Sequence, residues 1–172
     1  MTDREEPTLE EGTLAVVGAE ARTCLSWILE GMGMDAEVEL QDRDGQILLN
    51  VFCDEDSNLL IGRKGQTLEA LQTIVTRITA RKFPPAAAGQ ARILIDIEGY
   101  RERRRANLVD MALRIAGEVR ESGEEASLDP LNSYERYLVH DALKDEDGIS
   151  THSLGEGAVK QIVISLSGDG EF

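Results

Sequence analysis

The chain has 172 residues, of which 41% are apolar, so it can form one ordinary domain or two small ones with buried cores. Its net charge of −15 disfavours long-range attraction to nucleic acid, and its two cysteines are too few for a disulfide framework or a tetrahedral metal site. It has neither a run of 18 apolar residues nor a basic, apolar leader, and we therefore expect a cytoplasmic protein that is not inserted into a membrane.

The first half of the chain predicts a helix, a hairpin, two further helices and a strand. The predicted elements are a helix from Leu14 to about Gly31, strands at 36–41 and 47–51, a helical turn at 58–61, a helix over 66–82 and a strand at 93–97. Apolar spacing of three and four residues identifies the helices, and strict alternation identifies the strands. Trp27 is expected at the edge of the first apolar face. The apolar face of the helix over 66–82 contains Leu68, Leu71, Ile74, Val75 and Ile78.

The pattern restarts near Gly99, where a second unit is predicted to begin. Its predicted elements are a helix over 100–121, a short strand at 125–128, a helix from Asp129 to about Lys144, and a strand pair at 149–153 and 159–166. Asp129 is expected to be the N-cap of the second of these helices, with Pro130 at its first position. Both cysteines, Cys24 and Cys53, occupy apolar positions of periodic segments and are expected to be buried and reduced.

The predicted fold class is α+β, with two small modules and no repeat between them. Residues 14–98 form the first, in the order α-β-β-α-α-β, with a three-stranded sheet that has its helices on one face. Residues 99–167 form the second, a short sheet with two helices. Residues 1–13 and 168–172 lack periodicity and are expected to be disordered.

A loop between two predicted helices of the first module has the sequence Ile61-Gly62-Arg63-Lys64-Gly65. Because the two glycines have no Cβ, a sugar-phosphate backbone can approach the main chain closely, and the loop can adopt positive φ without strain. Arg63 and Lys64 would face the same phosphates, and the following helix directs its free N–H groups and its positive dipole into the loop. This combination predicts binding of single-stranded nucleic acid.

The distribution of charge favours this interpretation despite the acidic total. Residues 61–120 contain 12 Arg and Lys against six Asp and Glu, a balance of +6, whereas the remainder contains six against 27, a balance of −21. Charges act over about 8 Å at physiological salt, so a local basic surface can still bind phosphate. The distant carboxylates would mainly reduce non-specific affinity.

A second candidate site lies in the second module, where Arg136 and His140 are four residues apart on one predicted helix. That spacing places both side chains on one face, about 6 Å apart, where a guanidinium and an imidazole can bind phosphate. Two tyrosines on the same helix, Tyr134 and Tyr137, could stack on bases, but in a chain with so few aromatic residues we expect them, with Tyr100, in the core.

An arginine cluster at the start of the preceding helix could extend this basic surface. Its members that can share one face are Arg101, Arg104 and Arg105. A structural role competes with this interpretation. Arginines are unfavourable at a helix start, and Glu98 and Glu102 could pair with them to offset that cost.

The glycine loop, which joins two helices behind a hairpin and before a third strand, resembles the loop of a type II KH domain. The Arg136 and His140 pair, with its flanking helix and terminal strands, resembles the R-3-H domain, named for an Arg and a His separated by three residues. A type II KH domain followed by an R-3-H domain is similar to the Jag family, also called the SpoIIIJ-associated or KhpB family of bacterial RNA-binding proteins. Many relatives carry a further N-terminal domain, and here we expect only residues 1–13 before the first module.

The resemblance implies that the loop from Gly62 to Gly65 clamps about four nucleotides of single-stranded RNA, or of single-stranded DNA, while Ile61 and Leu71 form the floor of the base groove. It implies a second RNA contact at Arg136 and His140. It also implies post-transcriptional regulation linked to cell-envelope growth or division, with a small KH-domain protein or a second copy of the chain as a partner.

Two other classes of function compete with RNA binding. Catalysis would require His140, Asp141 and His152 to act as acid and base, but no second motif would orient them, and the sequence has no P-loop or metal-ligand spacing. We therefore expect no enzyme, no metal and no cofactor. A protein scaffold stays open as the alternative, since acidic ends suit docking on basic partners.

Overall fold

The computed structural model describes residues 11–43, 45–53, 57–83 and 92–168. The chain divides into two compact units with the boundary between Tyr100 and Arg101, close to the predicted seam at Gly99. Most of the two predicted tails lies outside the described residues.

The first unit contains the mixed α+β arrangement that its periodicity predicts. Its elements are α1 (Glu11–Gly31), β1 (Glu37–Arg43), β2 (Gln46–Phe52), α2 (Ser57–Ile61), α3 (Gln66–Lys82) and β3 (Arg92–Ile97). The strand order is β1-β2-β3, in which the first pair is antiparallel and the second is parallel. The bounds of α3 are those predicted, whereas α1 begins three residues before the apolar repeat at Leu14.

The hairpin between β1 and β2 is confirmed. Arg43 pairs with Gln46, so only two residues connect the strands. Gly45 has φ 79°, as such a tight turn requires, and its N–H donates to Asp42 Oδ1 at 3.2 Å. The resulting register buries Leu49 completely in the core of the first unit.

The helix α3 buries a narrower face than its apolar residues predict. Its buried side chains are Leu68, Leu71, Val75 and Thr79. Ile74 and Ile78, which were expected in the core, are 46% and 38% exposed, because Thr79 rather than Ile78 occupies the last inward position. The expectation that Trp27 packs at the edge of the core is also wrong, since this side chain on α1 is 70% exposed.

The two cysteines of the first unit are both buried, and neither takes part in a disulfide, as predicted. Burial raises the pKa of the Cys24 thiol, and nearby Lys82 only partly opposes this effect. The protonated thiol therefore behaves as a small apolar side chain in the core.

The second unit is a three-stranded antiparallel sheet with two helices. Its elements are α4 (Tyr100–Ser122), β4 (Ala126–Leu131), α5 (Ser133–Leu143), β5 (Ile149–Leu154) and β6 (Lys160–Leu166). The strand order is β4-β6-β5, so the last strand of the chain lies in the centre. Side chains such as Leu108 of α4, Val139 of α5 and Ile162 of β6 form one buried core.

The predicted start of α5 at Asp129 and Pro130 is wrong. Both residues lie in the edge strand β4, where the pairing with β6 shifts register between Leu128 and Leu131. Proline is tolerated at such an irregular edge because its missing N–H breaks no central ladder bond. The N-cap of α5 is instead Asn132, which forms a capping box with Glu135: Asn132 Oδ1 accepts from Glu135 N at 2.9 Å, and Glu135 Oε2 accepts from Asn132 N at 3.2 Å.

Candidate nucleic-acid interface

A tight turn joins α2 to α3 and contains the predicted glycine loop. The turn at Arg63–Gly65 is a short 3-10 segment, and Gly65 N donates to Gly62 O at 3.3 Å. Gly62, Lys64 and Gly65 all have positive φ, at 70°, 54° and 82°. A left-handed conformation at a non-glycine residue such as Lys64 is uncommon, and it points to a loop whose shape is imposed by its surroundings.

Contacts on the inner side of the loop leave no room for a larger residue at Gly62 and little room at Gly65. A Cβ on Gly62 would lie 2.1 Å from Thr67 Oγ1, and a Cβ on Gly65 would lie 3.0 Å from Cε1 of the Tyr100 ring. Gly65 is buried, and Tyr100 packs against the core of the first unit, as expected for this tyrosine. The main chain of the loop therefore follows one narrow path over Thr67 and Tyr100.

The outer side of the loop carries the two cations. Arg63 and Lys64 are both exposed, and the guanidinium of Arg63 forms no hydrogen bond or ion pair with any residue that the structure describes. The backbone carbonyl of Arg63 accepts from Gln66 N. The helix α3 begins at Gln66 with no side-chain hydrogen bond to its first N–H groups. The positive end of a helix dipole and two cations thus lie at the same short segment, which suits an anionic backbone.

The apolar residues beside the loop are placed differently from the expected base groove. Ile61 and Leu71 are only 8% and 5% exposed, and both belong to the core of the first unit. They support the loop from below and offer little surface to a base. Leu59 on α2, at 61% exposed, is the accessible apolar side chain nearest to the loop in sequence.

In the second unit, Arg136 uses part of its guanidinium to hold the polypeptide together. Its Nη1 donates to Leu131 O at 2.8 Å and to Ala158 O at 3.3 Å, and its Nη2 donates to Ser133 Oγ at 3.2 Å. These bonds link the end of β4, the start of α5 and the connection between β5 and β6. The Nε–H and the second hydrogen of Nη2 have no partner among the described residues, so they can still donate to a phosphate.

The ring of His140 is held between two hydroxyls of the neighbouring strand. Its Nδ1 lies 2.6 Å from Thr151 Oγ1, and its Nε2 lies 3.4 Å from Ser153 Oγ. Burial lowers the pKa of His140 from the ordinary 6.5, and the charges of Arg136 and His152 lower it further. His140 is therefore neutral at pH 7, where its ring contributes hydrogen bonds but no positive charge.

The arginine cluster on α4 divides into different environments. Arg104 Nε donates to Glu135 Oε1 at 2.8 Å, and these side chains are only 23% and 10% exposed. Arg105 is 55% exposed and lies 4.0 Å from Glu102, the pairing that the structural interpretation predicts. Arg101 is half-buried. Arg104 is thus mainly a structural cation, whereas Arg105 keeps a side chain that can reach a ligand.

Glu135 is a functionally placed residue of this region that was not predicted from the sequence. It accepts hydrogen bonds from Arg104 and from the backbone of Asn132, so it joins α4 to the start of α5. The Asn-x-x-Glu pattern at 132–135 is a capping-box signature that could have identified both residues. The pairing with Arg104, 31 residues away, has no comparable local signal.

The side chains considered for catalysis are engaged elsewhere. Asp141 Oδ1 accepts from Lys144 Nζ at 2.9 Å, whereas His140 faces Thr151 and Ser153. Within the described ranges, no group of three or more His, Cys, Asp or Glu side chains is arranged to hold a metal ion. In the same part of the chain, no helix combines the length and apolar character that crossing a membrane requires.

Both halves of the chain match known families. Residues 22–83 match the family described as the KhpA/KhpB KH domain, and residues 106–166 match the R-3-H domain family. The two matches lie in the two units that the structure shows, and they include the glycine loop and the Arg136 and His140 pair.

Similar proteins match this chain over most of its length. The RNA-binding protein KhpB of Clostridium symbiosum is 35% identical over 135 residues, which is 78% of this chain and 59% of that protein. The RNA-binding protein KhpB of Bacillus subtilis (strain 168) is 32% identical over 149 residues, 85% of this chain and 69% of that protein. A KhpB of Lactiplantibacillus plantarum is 30% identical, and the matched part is 42% of its length. The chain thus corresponds to less than the whole of these relatives.

Proposed function

Because the chain belongs to the KhpB family of RNA-binding proteins and carries a KH and an R-3-H domain, we propose that it binds single-stranded RNA. The observation that carries the proposal is the loop at 62–65. Its glycines adopt positive φ, its two cations are exposed, and it meets the uncapped start of α3. This arrangement fits a sugar-phosphate backbone, and it leaves the bases free to contact other residues of the protein.

The two domains divide the binding in this proposal. The KH loop clamps about four nucleotides through backbone amides, Arg63 and Lys64. The R-3-H domain binds a second segment, for which Arg136 supplies the N–H groups that its structural bonds leave free, and His140 supplies a ring nitrogen. Since one chain carries both sites, binding at the first raises the local concentration of RNA at the second, and the joint affinity exceeds either alone.

The finer role that we propose is post-transcriptional regulation in the cytoplasm, linked to cell-envelope growth or division. The resemblance to the Jag family supports the regulatory role, and two buried cysteines without a disulfide fit a reducing compartment. We propose a small KH-domain protein or a second copy of the chain as a protein partner. Single-stranded DNA is a second ligand with the same backbone chemistry.

A protein scaffold is the competing function, and one observation favours it. Trp27, Ile74 and Ile78 of the KH domain leave large apolar side chains in solvent, at 70%, 46% and 38% exposed. Exposed apolar residues of this size often belong to protein contacts. In a scaffold, RNA contact would be secondary and the loop cations would be dispensable.

Cross-linking in cells separates the two functions. Ultraviolet irradiation joins RNA to proteins that touch its bases, and sequencing of the recovered RNA identifies the targets. We expect RNA fragments cross-linked to the full chain, and strongly reduced recovery from a variant with Arg63→Asp and Lys64→Asp. Recovery of proteins without RNA would contradict the proposal and favour the scaffold.

A further inference from the structure

The exposed face of α5 carries two tyrosines that the phosphate contacts do not use. Tyr134 and Tyr137 are 62% and 60% exposed, which corrects the expectation that they lie in the core. Their spacing of three residues places them side by side, with Cβ atoms about 5–6 Å apart, and His140 follows Tyr137 at the same spacing. Neither phenol hydroxyl forms a hydrogen bond within the part of the chain that the structure describes.

The orientation of α5 fixes these rings in solvent. Leu138, Val139 and Leu143 form its buried face against the sheet, so a rotation that covered the tyrosines would expose the core. The rings are two of only seven aromatic residues in the chain, and both stand on the helix that carries Arg136. Aromatic side chains beside a cation are the usual means by which a protein holds unpaired bases.

Charged side chains lie beside the rings on the same helix. Arg136 keeps N–H groups that can donate to a phosphate, and His140 lies about one turn further along. Asp141 and Lys144 form an ion pair at 2.9 Å, a hydrogen bond that also raises the pKa of Lys144, so these two charges partly offset one another. Phosphates are therefore attracted to Arg136, and the bases attached to them can reach the tyrosine rings on the same helix.

We propose that Tyr134 and Tyr137 form a stacking surface for bases of the single-stranded RNA whose phosphates bind at Arg136 and His140. This inference rests on the proposed RNA-binding function and adds base contact to the R-3-H domain. Stacking depends on the π face that every base has, so the surface contributes affinity with little sequence preference. Loss of one stacked base is expected to reduce affinity about five- to 150-fold.

The test compares two ligands of equal length on the full chain. One is a single-stranded RNA oligonucleotide, and the other has the same ribose-phosphate backbone without bases. The double variant Tyr134→Ala with Tyr137→Ala should bind the RNA at least about fivefold more weakly than the wild type, while its affinity for the base-free oligomer is unchanged. Phe at both positions should restore RNA binding, because stacking needs the rings and not the hydroxyls.

Matched variants separate this inference from the function on which it rests. Arg63→Asp with Lys64→Asp should weaken binding of both ligands, because the loop contacts the backbone. The single variants Tyr134→Ala and Tyr137→Ala should each give a part of the double variant's loss. If the Tyr double variant binds RNA as the wild type does, or loses both ligands equally, the stacking surface is refuted although RNA binding stands. A wild-type chain that binds no RNA would overturn both.

Discussion

Gly62 and Thr67 pack so closely that a Cβ on the glycine would lie 2.1 Å from the threonine Oγ1 and 2.9 Å from its backbone nitrogen. Gly62 also has φ 70° and ψ −179°, a region that essentially only glycine occupies. The inner side of the loop is therefore required for the fold, whereas the cations Arg63 and Lys64 stand on the outer side. Fold and binding can be separated by mutation within four residues.

Replacement of the first loop glycine should destabilise the KH domain. Gly62→Ala forces a side chain into the space of Thr67 and a strained backbone conformation, at a cost of about 1–3 kcal/mol in the free energy of unfolding. Urea denaturation followed by circular dichroism measures this loss. Gly117→Ala is the control, since Gly117 lies within α4 with no atom inside 4 Å of an added Cβ. It should be neutral or slightly stabilising, and equal midpoints for the two variants would contradict the loop geometry.

Arg104 and Arg105 should respond differently to alanine although they are neighbours. Arg104→Ala removes the charged donor from the buried carboxylate of Glu135 and should cost about 1–3 kcal/mol of stability. Arg105→Ala should change stability by less than about 0.5 kcal/mol, because its pair with Glu102 is long and exposed.

RNA binding provides the second readout for this arginine pair. If Arg105 contacts a phosphate, Arg105→Ala lowers RNA affinity by about 1 kcal/mol while the protein unfolds at the same temperature. Thermal unfolding measures the stability of both variants, and filter binding measures their affinity for RNA. Arg104→Ala unfolding as easily as Arg105→Ala would show that the bond to Glu135 contributes nothing.

Acidification should strengthen RNA binding through His140. The ring is neutral at pH 7 because burial, Arg136 and His152 lower its pKa below 6.5. Protonation at lower pH creates a cation beside Arg136, and affinity for RNA should rise by up to about tenfold per pH unit as one proton is taken up. His140→Asn should abolish this rise, whereas His152→Asn, which removes the other histidine of the chain, should preserve it. A pH dependence unchanged in His140→Asn would rule out this contact.

The same shift makes folding less stable in acid. The folded-state pKa of His140 lies below its unfolded value of 6.5, so the unfolded chain takes up the proton first as the pH falls. The contribution to stability is therefore fully present above pH 6.5 and is lost as the pH falls through the folded-state pKa. Denaturation midpoints of wild type and His140→Asn should converge over this range, and parallel curves would contradict the shift.

Ionic strength should control RNA affinity steeply. If about four phosphates are neutralised, the slope of roughly −0.7 per contact for single strands predicts about a fifty-fold loss between 50 and 200 mM salt. Binding titrations at several salt concentrations give the slope directly. An affinity that does not change with salt would show that the cations of the two domains do not contact phosphates.

Local patterns predicted the helices and strands of the chain well, because the spacing of apolar residues and the residue types in turns depend only on neighbouring positions in the sequence. The bounds of α3, the hairpin at Gly45 and the glycine loop are of this kind. The start of α5 was misplaced because Asp129 and Pro130 imitate a helix start, while Asn132 forms the actual capping box with Glu135. The irregular pairing of the edge strand β4 tolerates Pro130. No local sequence pattern predicts this irregular pairing.

Features that depend on tertiary packing could not be predicted from local sequence patterns. Ile74 and Ile78 lie at apolar spacing on α3, yet only contact with the rest of the unit determines which side of that stripe is covered. The bond between Arg104 and Glu135, the bonds that occupy part of Arg136, and the exposure of Tyr134 and Tyr137 are non-local in the same sense. They decide which of the predicted site residues remain available to a ligand.

Binding of the RNA backbone by the loop cations is tested most directly by a filter-binding titration at fixed salt. The wild type is compared with Arg63→Asp plus Lys64→Asp, and with a control of equal charge change, Arg22→Glu plus Arg77→Glu, on exposed faces of α1 and α3. All three should unfold at similar temperatures, the control should keep most of its affinity, and the loop variant should lose most of it. A folded loop variant that binds RNA as tightly as the wild type would contradict the account.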